Sequence, residues 1–278
     1  MHRRRIANEG MSDTRNQKST PAKIIGLIPA AGRATRLGPL PCSKEIYPIG
    51  FRPGPDDQEL RPKAAGHYLL EKMQRAGIER AYIVLRTGKW DIPACFQDGA
   101  AVGMRLGYLV MDKSDGVPYT LDHAYPFVQD ALVALGFPDI LFSADDAFVH
   151  LLEHQEQTGA DIVLGLFPGD QPHKTDMVEV DERGAVRRIL IKPGKTDLRY
   201  TWGIAVWSPA FTHFMHEFLA SRPAVSDAPE LHAGDIIHAA IQTGLQVQGV
   251  HVSTEPYLDI GTPEDLALAL ARHTQQRV

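Results

Sequence analysis

Apolar residues in this chain come in short runs, with helical patterns between them. Ile24-Ile25-Gly26-Leu27-Ile28 is one such run and reads as a strand buried on both faces. Over 67–75, Leu69, Leu70 and Met73 fall on one helical face, and Gly77 supplies the stop. Further strands are predicted over 81–85, about 106–110, 139–142 and 162–167, with a helix over 148–157 between the last two. Strands that alternate with helices predict βαβ units and a mostly parallel sheet flanked by helices. The second half changes texture. Residues 177–180 and 185–190, joined by Asp181-Glu182-Arg183-Gly184, read as an antiparallel hairpin insertion with a glycine-containing turn. A strand over 201–207, a helix after Pro209, another over 235–242 and a closing helix from Pro263 complete the pattern. No repeat and no Pro/Gly/Ser-rich linker divides it, so a single α/β domain is expected over 21–278.

Composition narrows the classes. A net charge of −5 argues against a nucleic-acid binder that works by neutralising phosphates. Two cysteines, Cys42 and Cys95, exclude a disulfide framework and favour a reducing, cytoplasmic setting. No apolar run approaches the roughly 20 residues that a membrane span needs, so no membrane partner is expected. Residues 1–20 are polar and basic, with almost nothing to bury, and are expected to form a disordered leader. Arg3, Arg4 and Arg5 are not followed by the apolar stretch and cleavage site of a signal peptide, and Met11 is an alternative start.

Candidate chemistry begins where the first strand ends, in Pro29-Ala30-Ala31-Gly32-Arg33-Ala34-Thr35-Arg36-Leu37, with Lys44 further on. Small residues after a strand let backbone N–H groups approach an anion, while Arg36 and Lys44 offer a bidentate donor and a mobile point charge. In open α/β sheets ligands sit at the carboxyl ends of strands, where this loop falls. A tight turn with two solvated cations would leave the same residues. Two better-known phosphate loops are excluded: Ile189 stands where a P-loop ending in Gly194-Lys195-Thr196 needs glycine, and Ala34 and Leu37 replace two glycines of the dinucleotide fingerprint. His150 and His154 have a metal-binding spacing but no third ligand near in sequence, so a solvated helix face is expected there.

From Ala30 to Pro39, followed by Ser43-Lys44-Glu45, the chain resembles the opening motif (A/G)-(A/G)-G-x-G-T-R-L-x-P and Lys pair of the sugar-1-phosphate nucleotidyltransferases. The resemblance runs over about 23–268 through the segment ending at Gly116, Ser143-Ala144-Asp145-Asp146, Lys192-Pro193 and Asp259-Ile260-Gly261-Thr262. It implies a Rossmann-like fold and an Mg²⁺-dependent enzyme that joins a nucleoside triphosphate (dTTP or UTP) to a sugar 1-phosphate such as glucose 1-phosphate. It also assigns roles. Arg36, Lys44 and Lys192 would be catalytic. Ala30, Ala31, Gly32, Thr35, Arg36, Met111 and Gly116 would bind the nucleotide. Asp176, Ile191, Lys192 and Gly203 would hold the sugar phosphate, and Asp145 and Asp259 would bind Mg²⁺. A homo-oligomer is compatible with the family.

Departures from the family pattern weigh on the substrates rather than the reaction. Ala34 replaces a glycine, which is a mild change if its φ stays negative. Met111 replaces a base-reading glutamine, Thr175-Asp176 a Tyr-Gly pair, and Ile191 a glutamate that holds sugar hydroxyls. The pocket is thus expected to favour an acceptor with fewer hydroxyls at that point. Two rivals stand beside this reading: a cytidylyltransferase for a non-hexose phosphate or phosphonate, and a non-catalytic binder of nucleotide sugars.

Overall fold

A strand that is apolar on both faces requires cover on both, and the central sheet receives it from two sets of helices. The computed structural model describes residues 23–54, 59–222 and 230–275; the expected leader over 1–20 lies outside them. The first half contains β1 (Ile24–Pro29), β2 (Pro48–Pro53), β3 (Leu60–Ala64), α1 (Ala65–Arg75), β4 (Arg80–Arg86), α2 (Asp91–Phe96), β5 (Arg105–Met111), α3 (Val117–Asp122), α4 (Tyr125–Val128) and β6 (Leu132–Gly136). The second contains β7 (Ile140–Leu141), α5 (Ala147–Thr158), β8 (Ile162–Pro168), β9 (Met177–Val180), β10 (Val186–Leu190), β11 (Tyr200–Trp207), α6 (Pro209–Ala220), α7 (Ala233–Gln242), β12 (Val247–His251), β13 (Leu258–Asp259) and α8 (Pro263–Gln275).

Nine strands form one mixed sheet in the order β10-β9-β11-β6-β1-β4-β5, with β8 pairing β11 and β12 pairing β8. The four strands β6-β1-β4-β5 are mutually parallel, and Gly26 lies opposite both Ala81 and Ala134. The long strand β11 runs antiparallel to β6, β8 and β9, and the expected hairpin is β9–β10. Alternate residues supply two cores. Ile25, Leu27, Val133 and Leu135 join Phe211, Met215 and Ile236 of α6 and α7. Ile28, Ile83 and Leu85 join Leu69, Leu70 and Met73 of α1 and Phe148 and Leu151 of α5.

One strand departs from the sequence pattern. The strand expected over 139–142 is reduced to β7, two residues that pair with β13 outside the main sheet. The central strand is instead β6, Leu-Val-Ala-Leu-Gly, buried throughout. Alanine and glycine lower its intrinsic β preference, while Asp-Ile-Leu-Phe just after it carries bulkier side chains that mimic a strand. The shift decides which aspartate stands near the end of β6.

Candidate active site

β1 delivers the chain into its loop of small residues, and neighbouring turns brace that loop. The Ala30 N–H donates to the Val84 carbonyl at 2.8 Å, tying the loop to β4. Lys89, in the turn after β4, donates to the Ala30 carbonyl at 2.8 Å and to Glu45 Oε1 at 2.6 Å. Both members of this ion pair are buried. Burial raises the Glu45 pKa and lowers that of Lys89, and each charge partly offsets the effect on the other. Ser43 donates its N–H and hydroxyl to the Asp91 carboxylate at 2.6 and 2.8 Å. Lys44 donates to Asp139 Oδ2. Ser43, Lys44 and Glu45 are thus anchored one by one, to Asp91, Asp139 and Lys89.

The loop itself is strained. Ala34 lies at φ 52°, ψ 32°, the left-handed region, and is followed by one turn of 3₁₀ helix over Thr35–Leu37. This corrects the expectation of a negative φ: the Cβ clash there costs about 1–2 kcal/mol, which glycine would not incur. Three non-glycine residues among those described have positive φ, and two of them, Ala34 and Lys192, are candidate site residues. Strain of this kind gathers where surrounding structure holds a functional geometry. Ala31, Gly32, Arg33 and Thr35 line a cleft of about 720 Å³, together with Lys44, Asp139 and the 112–117 segment after β5.

Two carboxylates meet at the inner end of this loop. Asp139 follows β6 by three residues, and its carbonyl accepts the Ile260 N–H at 3.0 Å. That bond and the β7–β13 ladder draw Asp259 beside it. Burial opposes ionisation of Asp139, but the Lys44 ammonium outweighs it and holds the carboxyl below the usual range. Lys44 in turn overcomes burial through Asp139 and is held above the usual lysine range. Asp259 is pushed up to about 6, first by burial and then by Asp139, against the pull of Lys44 and Arg36. Its Oδ1 is buried without a hydrogen-bond partner. Gly261 leaves room here: a Cβ on it would lie 2.8 Å from Arg36 Nη2 and 3.0 Å from Asp259 Oδ1. The structure therefore gathers Arg36, Lys44, Asp139 and Asp259.

It does not bring Asp145 to that group. Asp145 precedes α5 and is paired with Lys72 in a second cavity of about 440 Å³, where Arg75 and Lys63 are its other charged neighbours. The hydrogen bond from Lys72 holds its carboxyl below the usual range. The aspartate that meets Asp259 is Asp139, and its signal was its place just past a buried apolar run. Met111 is also corrected: it packs partly buried against the core, and Asp112, Lys113, Ser114 and Gly116 line the cleft instead. Gly116 has φ 119°, and a Cβ on it would come within 2.9 Å of the Leu231 carbonyl, so no other residue fits.

Asp176, Ile191 and Lys192 are gathered at the start of α7. A Cβ on Gly234 would lie 2.6 Å from both Asp176 Oδ2 and Ile191 Cδ1, so its absence admits both side chains. Burial pushes the Asp176 carboxyl up, against the pull of His232 and Lys192. The Thr201 hydroxyl donates to the Asp176 carbonyl at 2.8 Å and stands 3.5 Å from the Tyr257 hydroxyl. Gly203 is buried, with the Tyr257 ring 3.0 Å from where its Cβ would be. It therefore seats Tyr257 rather than forming an open wall. Glu45 and Lys89 carry no pattern by which sequence could pair them.

A family model described as nucleotidyl transferase matches residues 25–276. The chain is similar to a glucose-1-phosphate thymidylyltransferase of Streptomyces griseus, 26% identical over 237 residues, covering 82% of this chain and 60% of that protein. A second enzyme of that name, from Neisseria gonorrhoeae, is 27% identical over 250 residues, covering 87% of this chain and 79% of the relative. The chain thus spans less than two thirds of the Streptomyces relative. A solved structure from Bacillus anthracis, described as a glucose-1-phosphate thymidylyltransferase, shares the fold with a TM-score of 0.76 at 21% identity, over 90% of this chain and 95% of that one.

Proposed function

We propose, from the premise that this chain belongs to the nucleotidyl transferase family, that it transfers a nucleotidyl group from a nucleoside triphosphate to a sugar 1-phosphate and releases pyrophosphate. The names of its relatives favour dTTP and glucose 1-phosphate as the pair. The observation that carries the reading is the meeting of Arg36, Lys44, Asp139 and Asp259 at the loop after β1.

The chemistry follows from charge. An acceptor phosphate oxygen, ionised at neutral pH, attacks the α-phosphorus; the bond to the bridging oxygen breaks, and its electron pair leaves with pyrophosphate. No proton need move, so rate comes from alignment and charge stabilisation. N–H groups over 31–35 and Arg36 hold the triphosphate, while the Ala30 N–H stays on Val84, and Lys44 turns from Asp139 to the α-phosphoryl oxygens. Lys192 holds the acceptor phosphate in line. The residues fit a divalent cation: Asp259 Oδ1 has no partner, and its oxygen ligand set with Asp139 suits a hard ion. No group of three or more His, Cys, Asp or Glu side chains that could hold a metal occurs among the described residues, so substrate phosphates and water would complete the shell. Bound there, Mg²⁺ supplies neutralisation of charge shared by both substrates. No helix among the described residues is long and apolar enough to cross a membrane.

The test is pyrophosphate release with dTTP, UTP or CTP, each with glucose 1-phosphate and Mg²⁺. Release that requires both substrates is expected. Triphosphate hydrolysis independent of acceptor, or no release with any pair, overturns the reading.

A further inference from the structure

The chain has two cysteines, and the transfer chemistry above uses neither. Both thiols are free, Cys42 half-buried and Cys95 exposed. They are far apart in sequence, but one hydrogen-bonded contact brings their segments together. Asp91 opens α2, and its carboxylate holds the N–H and the hydroxyl of Ser43, the residue after Cys42, at 2.6 and 2.8 Å. Cys95 lies four residues beyond Asp91, so it stands on the same face of α2, one turn along. The turn that carries Cys42 is thus laid against the helix face that carries Cys95. The charges acting on the thiols agree. Burial raises both pKa values; after burial, Asp91 acts most on Cys42, and Cys42 acts on Cys95 ahead of Asp91. A sulfur felt more strongly than a carboxylate one turn away in the same helix is a near neighbour. Next to Cys42 come Ser43, Lys44 and Glu45, two of whose three anchors, Lys89 and Asp91, belong to the segment that leads into α2.

We propose that Cys42 and Cys95 form a reversible disulfide that clamps the Lys44 turn to α2 and slows turnover while it lasts. The oxidant is a low-molecular-weight disulfide such as oxidised glutathione. Cys95, the exposed sulfur, attacks as thiolate one sulfur of the oxidant. The oxidant's S–S bond breaks, and one glutathione leaves as thiolate and takes up the proton that Cys95 gave. Cys42, deprotonated in turn, attacks Cys95 Sγ in the mixed disulfide, and the second glutathione leaves in the same way. Two protein thiols lose two electrons, and one oxidant disulfide gains them and becomes two thiols. Little thiolate is present at neutral pH, so closure is slow; the same sulfurs are poor leaving groups, so the bond persists until an excess of thiol reverses it. With Cys42 drawn onto α2, the backbone two residues before Lys44 no longer follows its ammonium from Asp139 to the α-phosphoryl group. The bond itself is independent of the transfer reading, while the loss of turnover rests on it.

The full chain is reduced, freed of reductant, incubated with oxidised glutathione, quenched in acid and mapped by mass spectrometry. The expected product is a monomer that has lost two hydrogens, with the peptides of Cys42 and Cys95 linked. Its Tm should rise by about 5 °C or more, because the bond closes a long loop in the unfolded chain. The kcat for pyrophosphate release should fall about tenfold or more, since a small displacement of a catalytic group is enough. Dithiothreitol should restore both values. Cys42→Ser should instead retain one glutathione on Cys95 and keep kcat within about twofold of the reduced parent, and Cys95→Ser should show neither the link nor the loss. Glutathione that stays on Cys95 in the parent, or a dimer joined through Cys95, would mean that the two sulfurs do not meet, and would overturn the proposal. A linked pair with kcat unchanged would overturn the clamp. A linked and stabilised protein that releases no pyrophosphate even when reduced would sink nucleotidyl transfer and leave the disulfide standing.

Discussion

Two lysine–aspartate pairs, Lys44–Asp139 and Lys72–Asp145, use the same chemistry in different surroundings. The Lys44 and Asp139 side chains are 14% and 16% exposed, and Asp259 stands beside them with an unpartnered oxygen. Lys72 is 7% exposed, but its partner Asp145 is 61% exposed and solvated, and the Phe142 ring lies 5.1 Å from the Lys72 ammonium. The first cluster carries more negative than positive charge away from water and is incomplete without a ligand. The second is balanced by its own pair and by solvent. Residue type and spacing do not separate the two; buried imbalance does, and it is what marks a functional site.

The largest expected effect tests that contrast directly. Asp139→Asn and Asp259→Asn should each lower kcat for pyrophosphate release by about a hundredfold or more, as loss of one transition-state charge contact does. Asp145→Asn should stay within about threefold of the parent. A parental rate in Asp139→Asn together with a collapse in Asp145→Asn would reverse the two sites. Next comes stability. Lys44→Met leaves Asp139 and Asp259 buried and unpaired, and should destabilise by about 3 kcal/mol or more. Lys72→Met leaves an aspartate that water already reaches, and should cost about 1 kcal/mol or less. Urea unfolding of both variants measures the difference, and equal losses would mean that the pairs are equally buried in solution.

The same contrast explains what could be read from sequence. β1, β4, β5, β8 and the β9–β10 hairpin declare themselves by apolar runs and turn residues, because burial on a regular sheet imposes a local period. The small-residue loop with Arg36 and Lys44 was legible too, since close backbone approach restricts residue type locally. β6 was not, because Ala134 and Gly136 pack by lacking bulk, and the apolar pattern points instead to 139–142, which begins seven residues after β6 does. With it went the choice between Asp139 and Asp145, two aspartates after the same apolar segment. Which one is brought to Asp259 depends on the β7–β13 pairing, a contact between residues more than a hundred positions apart. Glu45 with Lys89 and Asp176 with Gly234 are likewise three-dimensional meetings without a sequence period.

A smaller effect belongs to the region of the second cavity and depends on pH. His67, in the first turn of α1, accepts the Ala64 N–H at Nδ1 at 3.1 Å and meets Phe96 edge-on at 5.1 Å. Burial, then Arg52 and Lys63, lower its pKa from 6.5 to about 4, with Glu71 opposing. Above pH 6.5 neither folded nor unfolded ring takes a proton, and stability is full. From 6.5 down to 4 the unfolded chain takes the proton first, so stability falls as the solution is acidified, then levels off. The loss should amount to about 1–2 kcal/mol once solvent screening is allowed for. Urea midpoints at pH 7, 6, 5 and 4 should show the slope. His67→Gln, which keeps an acceptor for Ala64 but cannot titrate, should flatten it. An unchanged slope in the variant would assign the acid sensitivity to other groups.

The smallest effect lies in the strained loop of the first region. Ala34 holds a left-handed φ of 52° in the chain between Ala30, fixed by Lys89 and Val84, and Lys44, fixed by Asp139. Ala34→Gly removes a clash worth about 1–2 kcal/mol, but glycine also frees the unfolded chain by roughly 0.5–1 kcal/mol. A net stabilisation of about 0.5–1 kcal/mol should remain, a rise of a degree or two in Tm. Function should move the other way. A glycine relaxes the loop between its anchors, so KM for the triphosphate should rise by about two- to threefold while kcat holds, because the loss falls on binding rather than on the transition state alone. Ala34→Val, whose branched side chain suits this φ least, should lower Tm instead. If glycine lowers Tm and valine does not, Ala34 is not strained in solution. The anion loop would then be held by its hydrogen bonds alone, and the two lysine–aspartate regions would differ in charge but not in backbone tension.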